Sequence, residues 1–140
     1  MGFKVEDCIF FQLAKASQAG TKFWTNRVSN LNITAAQAMV LNFLGQEDEV
    51  TSRDIGSRTM LDSATLTGIL DRLESAGLIL RKQHPEDRRA ISICLTGNGR
   101  KITKKLYRMA IDANKAFLVS LTKEEQQTLR GLLGKIRRNI

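Results

Sequence analysis

Apolar side chains recur at helical spacing along most of the chain, and this pattern predicts six helices. The first is predicted over residues 5–29, where two neighbouring apolar stripes run side by side. The second begins at the capping box Thr34-x-x-Gln37, which satisfies free backbone N–H groups, and ends near Gly45. Two stripes make a wider apolar face than one small domain covers, so we expect a second chain to pack against the first helix.

Two short helices joined by a tight turn are predicted next, over residues 52–58 and 62–76. This arrangement is typical of a helix-turn-helix. The apolar arc of the second of these helices consists of Leu66, Ile69, Leu70 and Leu73. The opposite face carries small and hydroxyl-bearing side chains that allow a close approach to base edges. Asp62 or Ser63 can cap the start of this helix, and Gly77 follows its end.

Apolar runs predict two strands, Leu78 to Lys82 and Ile91 to Leu95, paired as an antiparallel hairpin. The second strand has the period of a half-exposed strand, with Ser92 and Cys94 on the side away from the apolar residues. Residues 83–90 connect the strands, and this loop is longer than a tight hairpin needs. Long loops are commonly functional. The loop holds the only proline and two adjacent arginines, which favours a finger for DNA.

Two further helices are predicted towards the end of the chain. One starts near Thr96, and the last is capped by Thr122-x-x-Glu125. The 140 residues are the size of one domain and need no metal or disulfide to fold. The predicted fold class is therefore mainly α with a small two- or three-stranded antiparallel wing, a winged helix-turn-helix with helices at both termini.

The distribution of charge adds a candidate partner. The formal net charge is +8, yet the first 50 residues sum to −1 and the remaining 90 to +9. Such asymmetry fits a polyanion partner such as nucleic acid, although a basic surface can also be merely solvated.

The residues needed for catalysis are sparse. Cys8 and Cys94 lack the spacing of metal ligands, and His84, the single histidine, has no partner for a metal site or a nucleophilic triad. We therefore expect no enzyme activity, no cofactor and no metal. No stretch reaches the roughly 18 apolar residues of a membrane helix, and the N-terminus is unlike a secretory signal. We expect a cytoplasmic protein with no membrane partner.

The stretch LDRLESAGLILRKQHPEDRRAISICLT, residues 70–96, resembles the MarR family of bacterial and archaeal transcriptional regulators. In that family, a hydroxyl-rich recognition helix ends in D-R-L-E-x-x-G-L and is followed by a basic strand, a P-x-D-x-R wing tip and a strand ending in L-T. The matching residues are Asp71-Arg72-Leu73-Glu74, Gly77-Leu78, Arg81, Pro85, Asp87, Arg89 and Leu95-Thr96. The same order of elements covers essentially the whole chain.

The resemblance implies a sequence-specific DNA-binding regulator, a repressor, that binds a pseudo-palindromic operator as a homodimer. Within one domain of residues 1–140, residues 1–30 and 97–140 would form a helical dimerisation region and residues 31–96 the winged helix-turn-helix. Half-site centres would lie about 10 bp, or about 34–36 Å, apart. Two other classes stay open: an architectural DNA binder with little sequence preference, and a winged-helix module that binds another protein.

The resemblance also implies which residues contact double-stranded DNA. In the major groove, base edges or phosphates would be met by Ser63, Thr65, Thr67 and Arg72. Arg89 would enter the minor groove, with Asp87 paired to it to fix its direction. Phosphate contacts are expected from Arg53, Arg81, Lys82 and Arg88. Family members commonly carry arginine where this chain has Gly68, so either the operator preference differs or the glycine permits close backbone approach.

Many relatives release DNA when a small ligand or an oxidant acts near the junction of the two regions. A ligand pocket could be lined by Phe11, Phe23, Trp24 and Met39, although aromatic residues at helical spacing also form cores. Cys8 stands near an F-x-L-x-x-A-S run similar to that of the peroxide-sensing branch. That run aligns Phe10 with the sensing cysteine, and two residues turn a helix by about 200°. A thiol sensor at Cys8 is therefore the lesser variant.

Overall fold

The structure, a computed structural model, describes residues 2–138. Met1, Asn139 and Ile140 of the predicted dimerisation region lie outside the described residues. Within the described part, the six α-helices are α1 Ile9–Val28, α2 Ala35–Gln46, α3 Ser52–Thr59, α4 Ser63–Ser75, α5 Gly97–Phe117 and α6 Lys123–Arg137. The strands are β1 Val50–Thr51, β2 Ile79–Gln83 and β3 Ile91–Leu95. The predicted fold class and order of elements are confirmed. None of the helices between residues 2 and 138 is long and apolar enough to cross a membrane.

The first helix begins at Ile9 rather than at residue 5. Residues Val5–Asp7 form a separate 3₁₀ turn, and Cys8, with φ −67° and ψ 126°, has extended backbone between the turn and α1. A single 3₁₀ turn has nearly the same apolar spacing as an α-helix, so the periodicity does not locate the break. Cys8 is consequently the residue that precedes α1, not a member of it.

Capping boxes start α2 and α6, as predicted. At α2, the N–H of Gln37 donates to the hydroxyl of Thr34, and the N–H of Thr34 donates to the side-chain oxygen of Gln37, both at 3.1 Å. Thr122 and Glu125 make the same reciprocal pair at α6, at 3.1 and 3.0 Å. Each box satisfies two backbone donors that the first helical turn leaves without partners.

The sheet has the order β1-β3-β2 with antiparallel pairing throughout. The prediction that Ser92 and Cys94 lie on an exposed face is wrong, because their exposed fractions are 4% and 6%. These two side chains are buried because β3 is the central strand and side chains of both neighbouring strands lie next to them. The long side chain of Lys82 from β2, for example, lies beside Cys94. The exposed residue of β3 is Ile91, at the wing end of the strand, which lies beyond the last residue of β3 that pairs with β1.

Most of the core lies in the winged-helix half of the molecule, and it extends to α1 and α5 through Val28 and Leu106. Its largest completely buried side chains are Leu41, Leu44, Ile55, Leu70, Leu73, Ile79, Ile93 and Leu106. The terminal helix α6 is different, because none of its described residues is buried. Its apolar side chains remain between 38% and 52% exposed, and they are Leu129, Leu132, Leu133 and Ile136. The isolated chain therefore leaves an apolar helix face uncovered.

Gly45 lies inside the last turn of α2, close to the predicted end of the helix, and marks a close approach between α2 and α5. A Cβ atom at this position would lie 2.3 Å from Cγ2 of Thr103. Thr103 is buried, and its hydroxyl donates to the carbonyl oxygen of Gly99 at 2.7 Å, so it has little freedom to move. Only glycine fits at residue 45 without separating the two helices.

We expect Gly45→Ala to lower the free energy of unfolding by about 1–3 kcal/mol, because the added methyl group overpacks the contact with α5. Gly68→Ala is the matched control, since a Cβ at Gly68 meets nothing within 4 Å. That substitution should raise the free energy of unfolding by about 0.5–1 kcal/mol through helix propensity. Urea denaturation followed by circular dichroism measures both. Equal stability of the two variants would contradict the close-approach argument.

Candidate nucleic-acid interface

Helix α4 presents one buried and one polar face. Its predicted apolar arc is confirmed, since Leu66, Ile69, Leu70 and Leu73 are all buried. Asp62 caps the helix by accepting the N–H of Thr65 at 2.8 Å and its hydroxyl at 2.7 Å. The helix ends at Ser75. Gly77 follows with a φ of 74°, which favours glycine, and the N–H of Leu78 donates back to the carbonyl of Leu73 at 3.0 Å. Both ends of the exposed face are thus fixed.

The exposed face of α4 offers hydrogen-bond acceptors near its start. The hydroxyl proton of Thr65 is donated to Asp62, and that of Thr67 is donated to the carbonyl of Ser63 at 2.8 Å. A hydroxyl whose proton is engaged still has lone pairs free. Ser63, Thr65, Thr67, Gly68 and Arg72 are all exposed on this helix. Most side chains of this face are short, with hydrogen-bond acceptors near the start of the helix and one cation, Arg72, near its end.

Arg81 on β2 reaches back to α4. Its Nη1 lies 2.8 Å from Oδ1 of Asp71 and 3.2 Å from Oε1 of Glu74, and its Nη2 donates to the carbonyl of Thr67 at 3.4 Å. Its backbone N–H donates to the second carboxylate oxygen of Glu74 at 3.2 Å. Only 24% of its side chain is exposed. The guanidinium expected to meet a phosphate is instead engaged in holding the wing strand against the helix.

The wing tip, residues 84–90, is held by its own backbone. His84 donates its N–H to the carbonyl of Ala90 at 3.0 Å, and Ala90 donates to the carbonyl of Asp87 at 3.1 Å. The carboxylate of Asp87 accepts the backbone N–H of Arg89 at 2.9 Å. Within residues 2–138 no ion pair joins the Asp87 and Arg89 side chains. Asp87 therefore organises the backbone beneath Arg89 and leaves the guanidinium exposed, in contrast to the side-chain pairing expected from the sequence.

The remaining predicted cations lie exposed on three elements. Arg53 is on α3, Arg72 on α4, and Arg88 and Arg89 at the wing tip. In the part of the chain that the structure describes, none of these four forms an ion pair. Lys82 is also exposed, and Glu49 lies 3.2 Å from its Nζ. The hydrogen bond to Glu49 raises the pKa of Lys82 above its ordinary value, which favours the charged form of this side chain further.

Sequence reasoning missed the supporting role of Asp48. Its Oδ1 accepts the N–H of Leu95 at 3.0 Å and the N–H of Glu49 at 2.9 Å, and its Oδ2 lies 3.3 Å from Nη2 of Arg100. Asp48 therefore ties the central strand of the wing to the start of α5. The available signal was an acidic turn, Glu47 to Glu49, in an otherwise basic chain.

A cavity of about 610 Å³ lies between α1, α2 and α5. Three predicted pocket residues, Phe23, Trp24 and Met39, line it. Phe11 does not, because it lies three turns earlier on α1, about 18 Å along the helix axis from Phe23, and is exposed. The sequence pattern missed Asn42, Phe43 and Phe117, which come from α2 and α5 and also line the cavity.

The two cysteines lie in different surroundings. Cys8 is partly exposed at the start of α1, whereas Cys94 is buried in the central strand.

An exposed hydroxyl-bearing helix joined to a basic wing defines the class of winged-helix DNA-binding proteins. The MarR family model matches residues 33–91. The organic hydroperoxide resistance transcriptional regulator of Bacillus subtilis (strain 168) is 35% identical over 129 residues, which are 92% of this chain and 84% of that protein. The chain belongs to the MarR family of transcriptional regulators.

Two solved structures are similar along most of their length. A mutant MarR from E. coli complexed with operator DNA has a TM-score of 0.83 and 29% identity, covering 89% of this chain and 90% of that chain. The PcaV transcriptional regulator from Streptomyces coelicolor, in complex with its natural ligand, has a TM-score of 0.88 and 26% identity, covering 99% of this chain and 97% of that chain. The chain is thus a MarR-family transcriptional regulator with a DNA-binding winged helix.

Asp62 makes the start of α4 sensitive to acid. The hydrogen bond from the Thr65 hydroxyl, followed by that from the Thr65 backbone, lowers the pKa of Asp62 below its ordinary value of 3.8. The stabilisation is therefore complete above pH 3.8 and lost as pH falls through the lower folded-state value. We expect Asp62→Ala to lower the melting temperature at pH 7, and the difference from the parent protein to vanish in stronger acid.

Asp62→Asn is the control for this prediction, because asparagine also caps helices but carries no titrating carboxyl group. It should lose less stability than Asp62→Ala at pH 7. A difference between Asp62→Ala and the parent that is constant down to pH 2 would contradict the assignment. Thermal melts by circular dichroism at several pH values provide the measurement.

Proposed function

We propose that this protein is a sequence-specific repressor that binds a pseudo-palindromic operator as a homodimer and is released by a small ligand. It acts by binding, without catalysis. In this proposal, residues 31–96 bind DNA, and residues 1–30 and 97–140 form the dimerisation region of a single domain, residues 1–140. One observation carries it: the exposed face of α4 and the exposed basic wing tip are held in a fixed relation by Arg81.

The recognition helix would read bases in the major groove. Because the hydroxyl protons of Thr65 and Thr67 are engaged within the chain, these side chains would accept hydrogen bonds from the N6 amino group of adenine or the N4 amino group of cytosine. Ser63, at the first turn, and Arg72, at the last, are the flanking contacts. Arg72 suits guanine or a phosphate.

The wing would enter the adjacent minor groove through Arg89, whose backbone is set by Asp87. In this proposal, the exposed cations Arg53, Lys82 and Arg88 contact phosphates. Arg81 has a different role in this proposal from the phosphate contact expected at first. It positions the recognition helix and the wing relative to each other.

A homodimer is supported by the apolar surface that the single chain leaves open. In addition to the uncovered face of α6, Phe10 at the start of α1 is 78% exposed, and Val119 after α5 is 80% exposed. Helices at both ends of the chain thus present apolar side chains that a second copy would cover. Two-fold pairing would present two recognition helices to successive major grooves.

Release by a small ligand is supported by the cavity between α1, α2 and α5. Its walls come from both regions, since α2 belongs to the winged helix and α1 and α5 to the dimerisation region. The structure of PcaV with its natural ligand adds a precedent in a similar protein. The lesser variant, an oxidant acting at Cys8, is supported by the partial exposure of that thiol before α1 and by the similarity to the organic hydroperoxide resistance transcriptional regulator of Bacillus subtilis.

Competition binding tests the regulator proposal. The protein should prefer DNA from upstream of its own gene over bulk DNA by about 10³-fold or more, with an affinity that falls steeply with salt. Arg89→Ala should retain the dimer in sedimentation experiments and lose about 1–3 kcal/mol of binding free energy. Lys101→Ala is the control, because it also removes one positive charge, from an exposed position on α5.

Equal affinity for every duplex would support the architectural alternative, and no binding at low salt would support the protein-interaction alternative. Full affinity in Arg89→Ala would contradict the minor-groove assignment.

Salt dependence distinguishes the role of Arg81 from that of a phosphate contact. Arg88→Ala should reduce the slope of log affinity against log salt by about 0.9, the value for one lost phosphate contact. Arg81→Gln should weaken binding to the preferred site while leaving the slope near that of the parent. The reason is that Arg81 positions α4 and the wing in this proposal and contacts no phosphate, so its loss changes the geometry of the interface but not the number of counterions released. An equal reduction of the slope in both variants would show that Arg81 contacts a phosphate, as the sequence analysis expected. Fluorescence anisotropy with labelled DNA at several salt concentrations gives the slopes.

A further inference from the structure

We infer that Glu49 competes with DNA phosphates for Lys82 and thereby sets the affinity for DNA and its dependence on salt. Glu49 acts through Lys82 as a positioning residue and does not contact DNA itself. This inference rests on the proposed function, because it concerns one of the cations proposed to contact phosphates. Three features carry it: an exposed ion pair, a turn that fixes the carboxylate, and the difference between Lys82 and the other candidate cations.

The ion pair crosses the central strand of the wing. Lys82 on β2 and Thr51 on β1 both pair with Ser92 of β3, one from each side. From the position directly before β1, Glu49 brings its Oε1 to 3.2 Å from the Nζ of Lys82 and accepts a hydrogen bond from it. A phosphate that binds this ammonium group either replaces the carboxylate or shares the ammonium group with it. Replacement breaks the ion pair, and sharing places two negative groups side by side, so both are unfavourable.

The position of Glu49 is determined by the turn before β1. Its φ of 58° lies in the left-handed region, which residues with a side chain rarely adopt. Asp48 supports this conformation, because its Oδ1 accepts the backbone N–H of Glu49 at 2.9 Å and that of Leu95 on β3 at 3.0 Å. The backbone of Glu49 is therefore tied to β3, the strand next to the one that carries Lys82. A fixed backbone reduces the conformational entropy that is lost when the ion pair forms.

Lys82 differs from the other candidate phosphate contacts. Arg53 and Arg88 form no ion pair within residues 2–138, so a phosphate that binds them displaces no carboxylate. Lys82 is also accessible, with 56% of its side chain exposed, but Glu49 already balances its charge. Exposed ion pairs are weak, so a phosphate can still replace Glu49 at a small cost in free energy. Lys82 therefore contributes less to DNA binding than its exposure alone indicates.

Direct repulsion between Glu49 and DNA is a different effect with a different signature. A carboxylate close to DNA repels phosphates whether or not it is paired with a cation. Such repulsion persists when Lys82 is removed, whereas competition for Lys82 disappears with it. The same turn supplies a matched control, Glu47, which is paired with Arg58 at the end of α3. Arg58 is not among the proposed DNA contacts.

The experiment measures DNA binding of the full chain and its variants by fluorescence anisotropy at several salt concentrations. Glu49→Gln retains the size of the side chain and removes its charge. It should raise the affinity about 2- to 5-fold, the range that exposed ion pairs cover. It should also steepen the slope of log affinity against log salt by up to about 0.9, the value for one phosphate contact. Because phosphate contacts carry no sequence information, the gain should be the same for the preferred site and for bulk DNA.

A double-mutant cycle assigns the effect to Lys82. Lys82→Ala should weaken binding more in the Glu49→Gln background, where the lysine is unpaired, than in the parent protein. In the Lys82→Ala protein, Glu49→Gln should bring no gain, because the cation that it releases is absent. Glu47→Gln should leave the affinity and the slope close to those of the parent. Asparagine tolerates left-handed backbone, so Glu49→Asn is the second variant if Glu49→Gln does not fold.

Four outcomes would overturn the inference. Parental affinity in Glu49→Gln, in a protein that prefers its own upstream DNA, would show that Glu49 does not compete for Lys82 and would leave the regulator function intact. A gain that persists in the Lys82→Ala background would show direct repulsion instead. An equal gain in Glu47→Gln would show an effect of net charge alone. No DNA binding by the parent protein at low salt would reject the proposed function and this inference with it.

Discussion

Arg81 is the polar side chain that links the wing strand to the recognition helix. A two-stranded hairpin is marginally stable alone, and β1 adds only Val50–Thr51 to the wing. The contacts of Arg81 with Asp71, Glu74 and the Thr67 carbonyl join strand to helix at three points along α4. Charge-assisted hydrogen bonds are stronger than neutral ones, and partial burial reduces their screening by salt. The two elements that we propose to contact DNA are therefore joined directly to each other.

Helix α2 connects this unit to the rest of the molecule. Its buried side chains, including Leu41 and Leu44, belong to the core of the winged helix, while Met39 and Phe43 face the cavity shared with α1 and α5. At Gly45 the helix passes so close to α5 that a methyl group does not fit. A molecule bound in the cavity would thus touch the same helix that supports the recognition unit. It would alter DNA binding only to the extent that it prefers one arrangement of these helices over another.

Local signals in the sequence predicted most of the fold. The capping boxes, the buried arc of α4 and the order of elements depend on residues within a few positions of one another. The predictions failed where contacts between residues far apart in the chain determine the environment of a side chain. Arg81 pairs with Glu74, seven positions earlier, rather than remaining free for a phosphate. Ser92 and Cys94 are buried because they lie on the central strand of the sheet, with a neighbouring strand on each side. Phe11 is on the same helix as Phe23 and Trp24, but it lies more than three turns earlier and does not line the cavity. The types and the exposure of most candidate DNA-contacting residues could be predicted from the sequence, whereas their hydrogen-bond partners within the chain could not.

Gly68 gives the recognition helix an unusual freedom to evolve. It lies exposed at the middle of α4, with nothing within 4 Å of the point where a side chain would begin. Almost any residue placed there would improve helix propensity while adding a new group to the surface that meets DNA. Mutations that change function usually cost stability, but here a lineage could acquire a new target sequence and a firmer helix in a single step. Duplicated copies of such a gene would be well placed to diverge towards separate regulons.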